Sequence, residues 1–300
     1  MPADRRPPLD RQLPTARDRR LGLLLGLVGV ASFSLTLPAT RAAVAGLDPV
    51  FVGLGRAVVA AALAAIVLVA TRSPWPGRAA LPGLAIVAGG VIVGFPLFTA
   101  WAMRRVPATH GAIVVGLLPL ATALAAAWLA HERPSQTFWW CAVAGSAVVV
   151  GFALWQGGGA LHLADLLLVA AVIAAAIGYA EGGRLARTLG GWQVICWALV
   201  LAAPAMLVPT LLAVDGRVLT APTSAWVGFA YVSAVSMFLG FFAWYRGLAL
   251  GGIAAVGQVQ LLQPFLTIFA SAWLLGETVD AATLAAAALV IAVIALGRRA

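Results

Sequence analysis

Lysine is absent from this chain of 300 residues, and all 19 of its basic side chains are arginines. A Walker A loop needs a lysine for the nucleotide phosphates, and a retinal Schiff base needs a lysine amine, so neither site can form. The sequence also lacks the His-Glu-x-x-His and Gly-x-Ser-x-Gly motifs, and its apolar runs contain no facing pair of aspartates. We therefore predict that the protein is not an enzyme and needs no cofactor.

Charge is also scarce in this chain. Charged residues make up 10% of it and hydrophobic residues 63%, and its mean hydropathy is +1.01, which is typical of an integral membrane protein. The net charge of +9 comes from arginines in the N-terminal tail and between apolar runs, where they orient helices rather than bind nucleic acid. Cys141 and Cys196 both lie inside apolar runs, which favours buried side chains over a disulfide or a metal site.

The apolar runs each approach the roughly 20 residues that a helix needs to cross a bilayer. We predict an all-α membrane protein with ten transmembrane helices, a disordered arginine-rich tail at residues 1–20, and a short end at residues 298–300. The ten runs cover residues 21–41, 49–70, 80–103, 108–130, 137–155, 164–186, 192–213, 223–246, 253–275 and 281–297.

One pattern occurs twice, at residues 119–132 and 264–277, with seven of fourteen positions identical at an offset of 145. Each copy has a deep proline, Pro119 or Pro264, which removes a backbone hydrogen bond and should kink the helix. Each copy ends in a glutamate, roughly 20 Å further along. The chain therefore divides into two repeats and a glycine-rich joint, at residues 21–155, 164–297 and 156–163.

Five helices per repeat is an odd number, so the second repeat crosses the membrane in the opposite direction to the first. Inverted repeats are the architecture of alternating-access transporters, whose substrates bind between the repeats near mid-membrane. With a cytoplasmic N-terminus, fourteen arginines lie in inside segments and four in outside segments. This bias predicts that both termini are cytoplasmic, in a multi-pass protein of a bacterial-type inner membrane.

Ionisable side chains within spans are costly and often functional. Arg56 either snorkels to the surface or binds a carboxylate, and the sequence favours the structural role. Glu181 is expected to pair with Arg184, one turn later near a helix end. His110 opens the fourth helix, where it could sense protons, touch substrate or do neither. Coupling to protons, through His110 or Glu181, stays open.

Polar and aromatic side chains mark the ninth, third and sixth helices. Gln258, Gln260 and Gln263 need partners in an apolar helix, and a water-filled cavity would supply them. Phe98 and Trp101 share a face that forms either a gate or a packed core. Trp244 and Tyr245 are expected in an interfacial aromatic belt. Tyr179 lies between Gly178 and Gly182, a spacing that lets another helix approach closely.

The doubled order of mid-helix proline, tryptophan, exit glutamate and a further helix resembles the ten-helix EamA family of the drug/metabolite transporter superfamily. The sequence Glu-Arg-Pro-Ser at residues 132–135 is similar to that family's signature. The resemblance implies a cavity surrounded by the first, third, fourth, sixth, eighth and ninth helices. On that basis the predicted substrate-binding residues are Trp101, Tyr179, Gln258, His110, Phe98 and Gln260. The predicted structural or gating residues are Pro119, Pro264, Glu132 and Glu277.

The same resemblance implies export of amino acids, aromatic or otherwise neutral, and a wall of rings and amides suits such solutes. A carrier for another metabolite or drug, such as a nucleobase or a cation, and a membrane scaffold without transport are the alternatives. The expected partners are a small-molecule substrate and the lipid bilayer. Small residues on the tenth helix would serve either a homodimer or internal packing, and the sequence leaves both open.

Overall fold

A computed structural model describes residues 15–130 and 162–297, together with residues 136, 140, 143–144, 147–148, 151–152 and 154–155. The regular structure in these residues is helical, with eight helices long and apolar enough to span a membrane and one shorter apolar helix. The fifth predicted span and the predicted joint lie mostly outside these residues, so the count of ten helices stays a prediction. The helices are α1 (Ala16–Gly46), α2 (Pro49–Ala70), α3 (Arg78–Met103), α4 (Ala108–Leu129), α5 (Leu163–Leu189), α6 (Gly191–Leu212), α7 (Thr223–Gly251), α8 (residues 253–275) and α9 (Ala281–Gly297).

The first helix begins at Ala16, earlier than the predicted start at residue 21. Thr15 and Asp18 form a capping box, in which the Thr15 hydroxyl accepts from the Asp18 amide at 3.1 Å. The Asp18 carboxylate accepts in turn from the Thr15 amide at 3.2 Å. Because this box satisfies the free amides of the first turn, residues 16–20 are helical rather than part of the predicted tail.

A bend at Leu35 divides α1 into Ala16–Ser34 and Thr36–Gly46. Pro38 has no N–H to donate to the carbonyl of Ser34, four residues earlier. That carbonyl instead accepts a hydrogen bond of 2.8 Å from the Thr267 hydroxyl of α8. The bend thus joins the first helix of one repeat to the last long span of the other.

Helix pairing shows that the second repeat is inverted. The start of α1 lies against the end of α7, where a Cβ added to Gly22 would be 2.6 Å from the Gly251 amide nitrogen. The start of α3 lies against the end of α5, where a Cβ on Gly83 would meet the Glu181 carboxylate. Since α3 starts on the side where α1 starts, α5 ends there and runs opposite to α1, as predicted. We call this side the N-terminal side.

The helices are irregular at equivalent places in the two repeats. A π-helical segment occupies Ala88–Gly94 in α3, directly before Pro96, and another occupies Tyr231–Leu239 in α7. An offset of 145 carries residues 88–94 onto residues 233–239, inside the second segment. Such segments widen a helix turn and occur often at functional sites.

The two deep prolines also follow irregular turns. Helix α4 is interrupted at residues 116–117, two residues before Pro119. Helix α8 contains a 3₁₀ stretch at Gln258–Leu262, directly before Gln263 and Pro264. Both interruptions agree with the kinks that the missing proline N–H groups predict.

Candidate functional site

A narrow cavity with a free volume of about 10 Å³ lies between the repeats near the middle of the bundle, and we call it the Arg56 cavity. Helices α1, α2 and α3 of the first repeat and α5, α7 and α8 of the second contribute to its wall. It therefore occupies the seam at which inverted-repeat carriers bind substrate. Its lining residues are Phe33, Thr36, Arg56, Val91, Phe95, Tyr179, Ser236, Phe241 and Gln263.

Arg56 is the charged residue of this wall. It lies seven residues after Pro49, roughly 10 Å along α2, and only 2% of its surface is exposed. Its Nη2 donates to the Ser236 hydroxyl at 3.2 Å. Nε and Nη1 have no partner among the described residues, although they carry more than half of the guanidinium's N–H groups. The side chain is buried in the protein, so it does not snorkel to the membrane surface.

Ser236 connects Arg56 to the first helix. Its hydroxyl lies 2.8 Å from the Thr36 hydroxyl, at the bend of α1. Ser236 belongs to the π-helical segment of α7, so this irregular turn helps to place the hydroxyl against the guanidinium. The matching stretch of the second repeat, residues 194–203 of α6, contains no charged residue. The two repeats therefore share their helix arrangement, but only the first has a charged residue at this position.

Aromatic rings form another part of the wall. The centroids of Phe33 and Phe241 are 5.0 Å apart, and those of Phe33 and Tyr179 are 6.2 Å apart. Behind them, the Trp244 ring lies 5.3 Å from that of Tyr179. Trp244 and Tyr245 are both fully buried, so the predicted interfacial belt is wrong for these two residues. Their rings support the cavity from the N-terminal side.

Two glycines of α5 allow this aromatic packing. A Cβ on Gly182 would lie 2.3 Å from the Tyr245 ring, and a Cβ on Gly178 would lie 2.7 Å from Val91. The Tyr245 hydroxyl donates to the Gly178 carbonyl at 3.2 Å. The small-residue spacing around Tyr179 therefore brings α3 and α7 close to α5, as the sequence predicts.

The three glutamines of α8 lie in different surroundings. Gln263 lines the Arg56 cavity, and its buried Oε1 has no hydrogen-bond partner in the described part of the chain. Gln260 does not line it, and its Nε2 donates to the Gly257 carbonyl at 3.1 Å. Gln258 is outside it as well, with a buried Oε1 that is also unpartnered within the described residues. The amide that faces the cavity is therefore one that the sequence prediction did not select.

Phe98 and Trp101 lie further along α3, away from this cavity. Their ring centroids are 6.4 Å apart, and both side chains are half-buried. Neither residue belongs to the cavity wall. Tyr179 is the one residue of the predicted substrate-binding set that does. The roles proposed for the other five remain predictions.

His110 joins α4 to α5 on the side opposite the N-terminal side. Its Nε2 lies 2.7 Å from the Asp165 carboxylate, and both side chains are buried. Asp165 also accepts from the His162 amide at 2.9 Å, at the start of α5. The ring centroid of Phe152 is 5.5 Å from that of His110. This pair packs between helices and is not part of the Arg56 cavity.

Glu277 forms a second connection on that opposite side. Its two carboxylate oxygens accept from the amides of Ala108 and Thr109, each at 2.9 Å, and so cap the start of α4. Arg41 of α1 lies 3.1 Å from the same carboxylate and also donates to the Met103 carbonyl at 2.8 Å. Helices α1, α3 and α4 are therefore tied together beyond the cavity. Glu132, the predicted counterpart, lies outside the described residues.

Ion pairs complete both ends of the bundle. On the opposite side Arg217 contacts Asp48 at 2.9 Å and also Asp215. The hydrogen bond from Arg217 lowers the pKa of the Asp215 carboxyl below its usual 3.8. On the N-terminal side Glu181 pairs with Arg184, as predicted from their spacing. The Arg56 cavity lies between these two sets of ion pairs.

Sequence reasoning missed most of the cavity wall. The signal for Arg56 was its depth, because it is a charge far inside an apolar span. The signal for Gln263 was an amide next to a helix-breaking proline, where backbone groups also need partners. Phe33 and Ser236 gave no signal, because a phenylalanine and a serine are ordinary residues in a membrane helix.

Comparison with known proteins agrees with the repeated architecture. A model of the EamA-like transporter family matches residues 20–154 and again residues 162–297. The chain is 46% identical over 278 residues to "Uncharacterized transporter YdeK" of Bacillus subtilis, which covers 93% of this chain and 97% of that protein. It is 28% identical over 276 residues to a "Probable terminal-alkyne amino-acid exporter" of Streptantibioticus cattleyicolor, over 90% and 91% of the two chains. A solved crystal structure with 19% identity has the same fold, with a TM-score of 0.67 over 94% of this chain and 99% of that one.

Proposed function

The chain belongs to the EamA-like transporter family, and on that premise we propose that it exports neutral amino acids by alternating access through the Arg56 cavity. Family membership makes it a multi-pass membrane transporter and not an enzyme. The observation that supports the finer proposal is a cavity at mid-bundle whose wall is shared by both repeats. An inverted pair of repeats can open such a cavity to each side in turn.

The wall of the cavity favours amino acids, including aromatic ones. Four of its residues are aromatic, and four others are polar or charged. A small solute with one apolar and one polar end fits this division. The relative from Streptantibioticus cattleyicolor carries an amino-acid exporter name, and we extend that substrate class to this chain.

Cationic drugs fit the cavity less well. Arg56 has no carboxylate partner in the described residues, so its charge acts on whatever enters. A second cation 4 Å away would be repelled by about 4 kcal/mol at an effective dielectric constant of about 20. This argues against the cation alternative.

We also propose an orientation in which both termini lie in the cytoplasm of a bacterial inner membrane. The arginine bias of fourteen inside against four outside supports it. Single cysteines at Ser73 and Thr278, in a background without the native cysteines, test it in whole cells with a membrane-impermeant thiol reagent. Labelling at position 278 alone is expected. Labelling at position 73 alone would show that the orientation is the reverse of the one proposed.

Counterflow in proteoliposomes tests the substrate class. Vesicles loaded with one neutral amino acid should take up the same labelled amino acid in a saturable way, and protein-free vesicles should not. Competition by nucleobases and by quaternary amines is measured in parallel. Saturable flux of either alternative, with none for any amino acid, would reject the proposed substrate. Absence of flux for all of these solutes would favour the scaffold alternative.

A further inference from the structure

Arg56 differs from the other buried charged residues that the structure describes, because its guanidinium has no charged partner. Asp165 is paired with His110, and Glu181 is paired with Arg184, at distances of hydrogen bonds. Arg56 keeps one hydroxyl partner, and two of its three nitrogens have none in the described chain. Burying a charge without a partner costs several kcal/mol. A cost of this kind in a cavity wall is expected where a ligand supplies the partner.

The chemistry of the free donors selects a carboxylate. In a guanidinium, an N–H of Nη2 is parallel to one of Nε or of Nη1; because Nη2 gives one of its two N–H groups to Ser236, one such pair stays free to match the two oxygens of a carboxylate. One cation balances one negative charge, and the rest of the wall is aromatic or uncharged. A dianion such as a phosphate monoester would keep an uncompensated charge next to phenyl rings. The cavity is smaller than an amino acid in this conformation, so binding requires the two repeats to move apart.

The wall offers a distinct place for an amino group. Gln263 of α8 lines the cavity with a buried carbonyl oxygen that has no partner in the described part of the chain. That oxygen can accept from an ammonium. The faces of Phe33, Tyr179 and Phe241 attract a cation through their π electrons. Arg56 belongs to the first repeat and Gln263 to the second, so one amino acid would contact both repeats.

We propose that Arg56 binds the α-carboxylate of the substrate and that Gln263 accepts a hydrogen bond from its α-ammonium group. The carboxylate is therefore the obligatory recognition element, and the ammonium adds to it. This inference rests on the proposed function, because it assigns the substrate groups at the same cavity. It predicts that the protein takes monocarboxylates and rejects amines and amides that have the same side chain.

Binding to the purified full chain tests the assignment with four probes: phenylalanine, phenylalaninamide, 3-phenylpropanoate and phenethylamine. We expect phenylalanine and 3-phenylpropanoate to bind, and the amide and the amine to bind at least tenfold more weakly. The Arg56→Gln variant should lose roughly 10- to 100-fold in affinity for both acids. Arg246→Gln, which removes an exposed arginine at the end of α7, is the matched control and should leave both affinities unchanged.

A second variant separates the two assigned groups. Gln263→Leu should weaken phenylalanine by roughly threefold to tenfold and leave 3-phenylpropanoate unchanged. Equal loss for both acids would show that Gln263 shapes the cavity without meeting the ammonium, and would overturn that part. The comparison of acid with amide uses the wild-type protein, so it stays decisive if a variant fails to fold.

The outcomes distinguish this inference from the proposed function. If phenylalanine and its amide bind equally, or if Arg56→Gln binds both acids as the wild type does, the carboxylate assignment is wrong while amino-acid counterflow can still stand. If 3-phenylpropanoate binds through Arg56 but no amino acid is transported, the carboxylate assignment stands and the proposed function fails. If neither acid binds, the assignment is overturned.

Discussion

Replacing Arg56 by leucine should stabilise the empty protein while it removes substrate binding. The guanidinium is 2% exposed and keeps one hydrogen bond, of 3.2 Å, to the Ser236 hydroxyl. A hydrogen bond from a charged group contributes about 1.5–3 kcal/mol, whereas burying an ion costs several kcal/mol. Ser236 keeps the Thr36 hydroxyl as a partner at 2.8 Å after the change, so no new unsatisfied group is created there.

The expected gain is about 1–4 kcal/mol, by analogy with buried charges that were replaced by apolar residues. It corresponds to several degrees in melting temperature, at about 2–4 °C per kcal/mol for a chain of about this size. Thermal unfolding of the purified protein in detergent, without substrate, measures the shift by intrinsic fluorescence. Binding of phenylalanine to the same sample measures the functional loss.

A paired charge provides the control. Asp165→Leu removes the partner of buried His110 and should lower stability, by about 3–5 kcal/mol if the pair is charged. Opposite shifts for the two variants would show that Arg56 is unpartnered and Asp165 is not. A melting temperature of Arg56→Leu below that of the wild type would refute the reasoning, because it would mean that the guanidinium is stabilised in the empty protein.

Three further predictions concern the frame around the cavity. Glu277→Gln removes the charge that pairs with an arginine of α1 and leaves one oxygen for the two amides at the start of α4. This change should lower the free energy of unfolding by about 1–3 kcal/mol. An unchanged melting temperature would show that another group caps the helix. Gly182→Ala places a Cβ 2.3 Å from a tyrosine ring of α7 and should lower the free energy of unfolding by about 1–3 kcal/mol. Gly89→Ala, with nothing within 4 Å of the new Cβ, is the control and should lower it little. Equal losses of stability in the two variants would contradict the close packing. Arg217 lowers the pKa of Asp215 below 3.8, so the small contribution of this pair to stability is present above pH 3.8 and is lost as the pH falls through the lowered pKa. The stability difference between the wild type and Arg217→Gln should therefore stay constant from pH 7 to pH 5. A change in that window would show that another group titrates.

The frame of the molecule was predictable because it repeats in the sequence. The prolines Pro119 and Pro264, the odd helix count and the offset of 145 predicted an inverted pair of kinked bundles, and the pairing of α1 with α7 and α3 with α5 agrees. The irregular turns at residues 88–94 of α3 were not predictable, because a π-helical segment depends on packing that apolar residues do not encode locally.

The cavity was less predictable for a physical reason. In a bilayer the lipid-facing and the protein-facing sides of a helix are both apolar, so periodicity does not tell which side meets another helix. Trp244 was therefore assigned to an interfacial belt although it is fully buried. Arg56 was noticed as a charge, but only the folded chain shows that its neighbours include a hydroxyl and no carboxylate among the described residues.

The single charge of a duplicated frame gives the cavity a fixed polarity. Arg56 belongs to α2, and the corresponding stretch of α6 at residues 194–203 has no charged residue. If Arg56 binds the substrate carboxylate as proposed, the substrate keeps one orientation whichever side of the membrane the cavity opens to. The same end of the substrate therefore leads when it enters and when it leaves, and a solute with two identical ends gains nothing from this arrangement.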